Sequence, residues 1–330
     1  MKVSWKFFAA LVAGFVLMLG VRITVFYLNL GVPSEQSRWA FELYQKKRLL
    51  ASETKPPKLL LVGGSATLFG LSAREIESES GYRTINIGNH AALGTACLLH
   101  QAQEMAKPGD TVLLVLEYEL YTFGKVEQAW ADKILVDYLV SRDPGFFHSL
   151  TVAEQWTVFM LTTDDRLVRG LKYRWRHGRT ERPRSDDSSV YSIKFINEWG
   201  DQTHNRRAAR PDQRDQVWQN KSILGHGLPA RPQGFAVIES FCRWAQTQHI
   251  RVLATFPNLC DQPEYHMEPA KQAAATIKDF FSGLGVPVVG DYTDAMLPAD
   301  DFFDTTYHLT EEAAQTRSQR LAAQLIPWLK

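Results

Sequence analysis

The sequence predicts an α/β fold: a doubly wound, mostly parallel sheet of about five strands with helices on both faces, joined to an apolar N-terminal helix and a largely helical insertion. Three observations carry that prediction. Short, uninterrupted apolar runs bounded by turn residues recur along the 330 residues, the mark of strands covered on both faces. Helix-length segments separate those runs, as crossover connections between parallel strands require. Residues 7–21 carry no charge, and apolar character resumes after Arg22.

Taken in order, residues 7–28 would form a helix about 33 Å long, enough for a hydrocarbon core of about 30 Å. The run is apolar on all faces, which argues against a buried amphipathic helix. A cleaved signal peptide is the rival reading, with Lys2 and Lys6 as its basic flank. No small-x-small cleavage pattern precedes Pro33, so an uncleaved anchor over residues 1–30 is favoured. Lys2, Lys6 and the amino terminus favour an inside N-terminus. The expected location is therefore the cell (inner) membrane, single-pass, with the remaining chain extracytoplasmic in the periplasm.

Residues 31–57 read as a polar, partly helical neck that Lys55, Pro56 and Pro57 stop. The α/β domain, residues 58–330, opens with the strand 58–63. Runs at 83–87, 111–116, 251–256 and 286–289 repeat it. Helices are expected near 93–107, 234–248, 269–282 and 310–329, the last with Glu311 and Glu312 in its first turn, where the macrodipole favours negative charge. Five such strands suit a flavodoxin-like sheet. At about 121–231 the pattern breaks for an insertion with helical segments at 132–141 and 152–162. From Arg166 to Arg184 eight Lys or Arg stand against Glu181 alone, a local net charge of +7. Tyr173 and Trp175 interleave with them. Such a stretch suits nucleic acid, anionic headgroups or an acidic glycan, and a solvated face is the equal alternative. With a membrane anchor, nucleic acid is not an expected partner.

Lys plus Arg total 37 and Asp plus Glu 36, so no global field recruits polyanions and any electrostatic function is local. Cys97, Cys242 and Cys260 lack the spacing of a zinc module or a disulfide-dense scaffold. Cys242 and Cys260 can bridge in an oxidising compartment; three buried thiols is the other reading. The histidines show neither HxH nor HExxH spacing, and no metal or cofactor is expected.

In open α/β sheets chemistry collects beyond the carboxyl ends of the strands. Directly after the first strand stand Gly63, Gly64 and Ser65, small residues that allow a tight turn and let a substrate approach the Ser65 hydroxyl, with helix N–H groups beside it for an oxyanion. A simple helix cap is the bland reading. The segment lacks the lysine of a phosphate-binding loop and the GxGxxG spacing, so nucleotide binding is disfavoured. Asp304 and His308 lie between the last strand and the last helix, at the same sheet edge. A serine needs an imidazole to take its proton, and the imidazole needs a carboxylate to orient it. Glu117 and Glu119 share a face if the third strand continues, where one would hold a positive group.

Gly63-Gly64-Ser65, Asn86 with Gly88 and Asn89, and Asp304…His308-Leu-Thr resemble the blocks of the SGNH (GDSL-like) hydrolases, over roughly residues 58–116 and 231–330. The resemblance implies Ser65 as nucleophile, His308 as base, Asp304 as its orienting carboxylate with Asp301 in reserve, and Gly88 as an oxyanion donor. Two departures stand out. The spacing is DxxxH, not DxxH, and Glu117-Tyr118-Glu119 occupies the place of the block-three asparagine, with Asn89 the substitute donor. Glu117, Tyr118, Asn197 and Trp199 are the candidate substrate contacts. With an anchor, the chain looks like a branch that acylates surface polymers. That branch implies a membrane-bound serine O-acyltransferase or esterase acting on a surface polysaccharide, with a membrane-bound O-acyltransferase as partner. The competing expectation is a non-catalytic scaffold that binds an anionic polymer or docks a membrane-bound acyltransferase.

Overall fold

The computed structural model describes residues 5–124, 126, 133–182, 191–206 and 214–329. In chain order the helices and strands are α1 (Trp5–Asn29), α2 (Arg38–Glu53), β1 (Leu59–Val62), α3 (Ser65–Gly70), α4 (Ala73–Ser80), β2 (Thr84–Asn86), α5 (Gly94–Met105) and β3 (Thr111–Leu114). Then come α6 (Lys133–Ser141), α7 (Pro144–Ser149), α8 (Val152–Leu161), α9 (Asp164–His177), α10 (Arg214–Gln219) and α11 (Gly234–Thr247). The chain closes with β4 (Arg251–Thr255), β5 (Leu259–Cys260), α12 (Glu268–Gly283), β6 (Val288–Val289), β7 (Met296–Leu297) and α13 (Glu311–Leu329).

These elements divide into two units. One, residues 39–130 and 186–330, holds a five-stranded parallel sheet in the order β2-β1-β3-β4-β6, with β5 and β7 paired separately. All five strands begin or fall within the apolar runs of the sequence. Every residue of β1, β2 and β3 is buried, as continuous apolar strands covered on both faces should be. Because β1 and β3 pair from Leu59↔Thr111 to Val62↔Leu114, their carboxyl ends finish level. The opposite ends are closed by a fully buried ion pair, Lys58 Nζ to Asp110 at 2.7 Å. The outer edge of β2 is not open: Asn86 N–H donates to Trp199 O at 2.8 Å, so residues near 199 cover the edge.

The other unit consists of residues 1–38 and 131–185. Here α1 is long and apolar enough to cross a membrane, with a mean hydropathy of 2.2. Its C-terminal end is tied by a buried polar network. Arg166 donates to Asp137 at 2.6 Å, to Asn29 at 3.2 Å and to the Val32 carbonyl at 3.0 Å, while Ser37 Oγ donates to Asp137 at 2.6 Å. A buried charge needs its partners, and here each is met.

Residues 38–53 of the expected, partly helical neck form α2, whose Ala40, Leu43 and Ala51 are fully buried. The insertion at 121–231 is shared: residues 131–185 group with α1, and those after 185 with the sheet. The basic stretch is mostly α9, begun by an Asp164–Asp165 first turn and a Thr163 cap. Arg184 lies outside the described residues. Cys97, Cys242 and Cys260 are all buried and none is in a disulfide, so Cys242 and Cys260 do not bridge.

Candidate active site

The strand order reverses between β1 and β3, and the crevice at such a switch point is where an open α/β sheet offers a site. The turn after β1 is set by its glycines. A Cβ at Gly64 would lie 2.5 Å from Glu117 Oε1 and 2.8 Å from Ala91 Cα, so only glycine admits both the Glu117 carboxylate and the backbone at Ala91. Glu117 uses this closeness: its carboxylate accepts from Gly64 N–H at 3.0 Å and Ala66 N–H at 2.8 Å. It caps the first turn of α3 from both sides of Ser65. Burial raises the Glu117 pKa, and the two N–H donors oppose the rise.

Ser65 is the first residue of α3. The His308 imidazole stacks on Phe69, four residues beyond Ser65 on α3, with ring centroids 4.3 Å apart. His308 Nδ1 lies 2.6 Å from Asp304 Oδ1. Asp304, not Asp301, is thus the carboxylate at the histidine, and the extra residue of DxxxH is taken up in the turn between Phe302 and Leu309, which bridge each other. Neither Ser65 Oγ nor His308 Nε2 has a hydrogen-bond partner among the described residues, so the Ser65–His308 bond is not closed here.

Two buried asparagines that sequence reasoning missed support the loop of His308, and Asn205 also ties it to α3. Asn205 Nδ2 donates to Leu309 O at 2.7 Å and Phe69 O at 3.4 Å, and Asn258 Nδ2 donates to the Tyr307 carbonyl. Glu119 also works on this side: it accepts from Tyr307 Oη at 2.8 Å and from Ile223 N–H at 3.0 Å. Among the described residues neither Glu117 nor Glu119 holds the positive group expected of one of them; both bind neutral donors that only the tertiary fold brings near.

The other expected residues have different employment. Gly88 N–H donates to Asn86 Oδ1 at 3.0 Å, and a Cβ at Gly88 would meet Leu68 N at 2.7 Å. Asn86 Nδ2 donates to Thr67 O and Leu71 O, both at 3.0 Å, stitching the end of β2 to α3. Asn89 Nδ2 points to Ala40 O and Gln101 Oε1. The two expected oxyanion donors are therefore engaged, while the Ser65 N–H has no acceptor among the described residues. Tyr118 is fully buried, so it offers no surface to a substrate. Asn197 Oδ1 accepts from the N–H groups of Trp199 and Asp201, both at 2.9 Å, and Trp199 packs on the core around β1 and β3. This turn serves Asp201, a missed residue that caps α4 through Ala73 N–H at 2.6 Å and Arg74 N–H at 3.1 Å. Trp39, His90 and Tyr191 complete an aromatic wall with Phe69, ring centroids 4.6 to 5.6 Å apart. Among the described residues no three His, Cys, Asp or Glu side chains converge as a metal site needs.

Lys47 of α2 is fully buried, and its ammonium donates to the Gly88 carbonyl. Burial pushes its pKa down to about 7, with Asp201 pulling weakly the other way. An unfolded lysine keeps its proton to about pH 10.4, so between pH 7 and that value the unfolded chain binds more protons. Stability is then expected to rise from pH 7 to 9 by up to about 1.4 kcal/mol per pH unit, and this pH dependence ends below pH 7, where both states hold the proton. Urea midpoints measured across this window should climb for the natural chain and stay flatter for Lys47→Met. Equal slopes would exclude Lys47 as the source.

No protein-family model matches this chain, and no curated protein sequence matches it.

Proposed function

We propose that the chain is a membrane-anchored serine O-acyltransferase or esterase acting on a cell-surface polysaccharide or related polymer, built on a flavodoxin-like scaffold of SGNH type. The observation that carries this reading is the His308 imidazole, held by Asp304 at Nδ1 and laid on Phe69 one turn from Ser65, so that Nε2 is the nitrogen left for the serine.

Ser65 Oγ attacks the acyl carbonyl while His308 Nε2 takes the hydroxyl proton; Asp304 fixes the tautomer and balances the imidazolium. The Ser65 N–H meets the oxyanion, and Gly88 N–H joins it on leaving Asn86. Nε2 returns the proton to the departing oxygen, giving acyl-Ser65. A sugar hydroxyl then takes the acyl group in transfer, or water takes it in hydrolysis, with His308 again accepting the proton. Among partners, the reading includes a membrane-bound O-acyltransferase that supplies the acyl group. The α1 helix anchors the chain, with the catalytic unit outside the cytoplasm.

The engagement of Gly88 N–H and the Asn89 amide favours a second reading, a non-catalytic scaffold that binds an anionic polymer or docks a membrane-bound acyltransferase. A serine-reactive fluorophosphonate separates the two: the enzyme is labelled, and keeps its p-nitrophenyl acetate turnover in a chelator, whereas the scaffold does neither.

A further inference from the structure

We propose that α8 and the outer face of α9 form a membrane seat, lying in the headgroup and outer acyl layer of the leaflet from which α1 emerges, with Lys172 and Arg176 of α9 on anionic lipid headgroups. The inference rests on the anchoring role given to α1 above, and it concerns only the unit that contains α1.

The exposed part of α1 is too short to span the apolar layer alone. Residues 5–18 of α1 are exposed throughout, and from Leu19 the helix begins to be covered. Those fourteen residues span about 21 Å at about 1.5 Å each, and a hydrocarbon core needs about 30 Å. About six more residues, 19–24, must lie in the apolar layer. Whatever packs beside them is carried to the same depth. Phe15, Met18 and Leu19 share an apolar groove with Trp156, Phe159 and Met160 of α8.

The side chains at that depth suit it. α8 turns Val152, Trp156 and Met160 outward at i, i+4 and i+8, with exposures of 84%, 50% and 52%. On α9, Val168, Lys172, Trp175 and Arg176 fall at i, i+4, i+7 and i+8, and Trp175 is 87% exposed. Apolar residues interleaved with long cations are the pattern of a helix lying in an interface, stems along the acyl boundary and charges at the phosphates.

A guanidinium near the end of a membrane span needs partners there. The α8–α9 corner provides them: Arg22 donates to Asp164 at 3.0 Å, Thr162 O at 2.7 Å and Phe159 O at 3.3 Å, and lies 4.6 Å from the Phe159 ring centroid. The corner that neutralises the charge is the one that carries the exposed apolar stripe.

The test uses the full chain in phosphatidylcholine–phosphatidylglycerol vesicles, spin-labelled singly at Val12→Cys, Trp156→Cys, Met160→Cys or Ser240→Cys. All four positions are exposed, and the three natural thiols are buried. Nitroxides at 156 and 160 are expected to collide several-fold more often with oxygen than with a water-soluble nickel chelate, at a shallower depth than the label at 12, and Ser240 is the aqueous reference. If Val12 is protected while 156 and 160 are as open to nickel as 240, the seat is wrong and the anchor stands. If Val12 is itself open to nickel, the anchor fails and the seat with it.

Discussion

Replacing His308 with alanine is expected to lower p-nitrophenyl acetate turnover by about 10⁴-fold or more, a loss of about 5.5 kcal/mol of transition-state stabilisation. Asp304→Asn is expected to cost about 10³ to 10⁴-fold, because an amide at Oδ1 turns the imidazole to the wrong tautomer while leaving the ring on Phe69. The doubly substituted chain should be little worse than His308→Ala alone, since the proton relay is one device. Steady-state rates with matching circular dichroism spectra check this. If Asp304→Asn retains full turnover, the 2.6 Å contact to His308 is structural and the relay is wrong.

Glu117→Ala is expected to be the most damaging change to stability near the site. It removes the acceptor of two buried N–H groups, those of Gly64 and Ala66, at about 1–3 kcal/mol for each donor left unpaired. The total of about 2–6 kcal/mol is a large share of a typical 5–15 kcal/mol of net stability. Glu117→Gln should fall between, because its amide oxygen serves one N–H and its NH₂ confronts the other. Both changes also loosen the turn that carries Ser65, so fluorophosphonate labelling should slow more for alanine than for glutamine. Denaturant midpoints and labelling rates measured together check the account. Unchanged midpoints in Glu117→Ala would show that the cap contributes nothing.

The sequence carried the sheet and the histidine–aspartate pair well, for physical reasons. Strands buried on both faces must be apolar throughout, so residues 58–63 and 111–116 announce themselves without periodicity. Asp304 and His308 lie in one loop, within reach of each other by local chain geometry alone. What stayed hidden depends on tertiary approach. Nothing in Glu117 or Glu119 says that their acceptors will meet the Gly64 and Ala66 N–H groups or the Tyr307 hydroxyl. Gly88 looked like a free donor because the rival acceptor, Asn86 Oδ1, is two residues away in a conformation that the α3 packing imposes. In α2, Lys47 gave no sign of lying inside, since lysine is a residue type seldom fully buried. Asn205, Asn258 and Asp201 left no pattern, since each works as an isolated polar group whose partners, backbone groups distant in the chain, are met only in the folded core.

The most direct measurement is peptide mapping of the full chain after reaction with a fluorophosphonate. A single phosphonyl adduct on Ser65, absent from Ser65→Ala and strongly reduced in His308→Ala, is the predicted result. An unlabelled natural chain, or an adduct that persists in Ser65→Ala, would contradict the claim that Ser65, activated by His308, is the nucleophile.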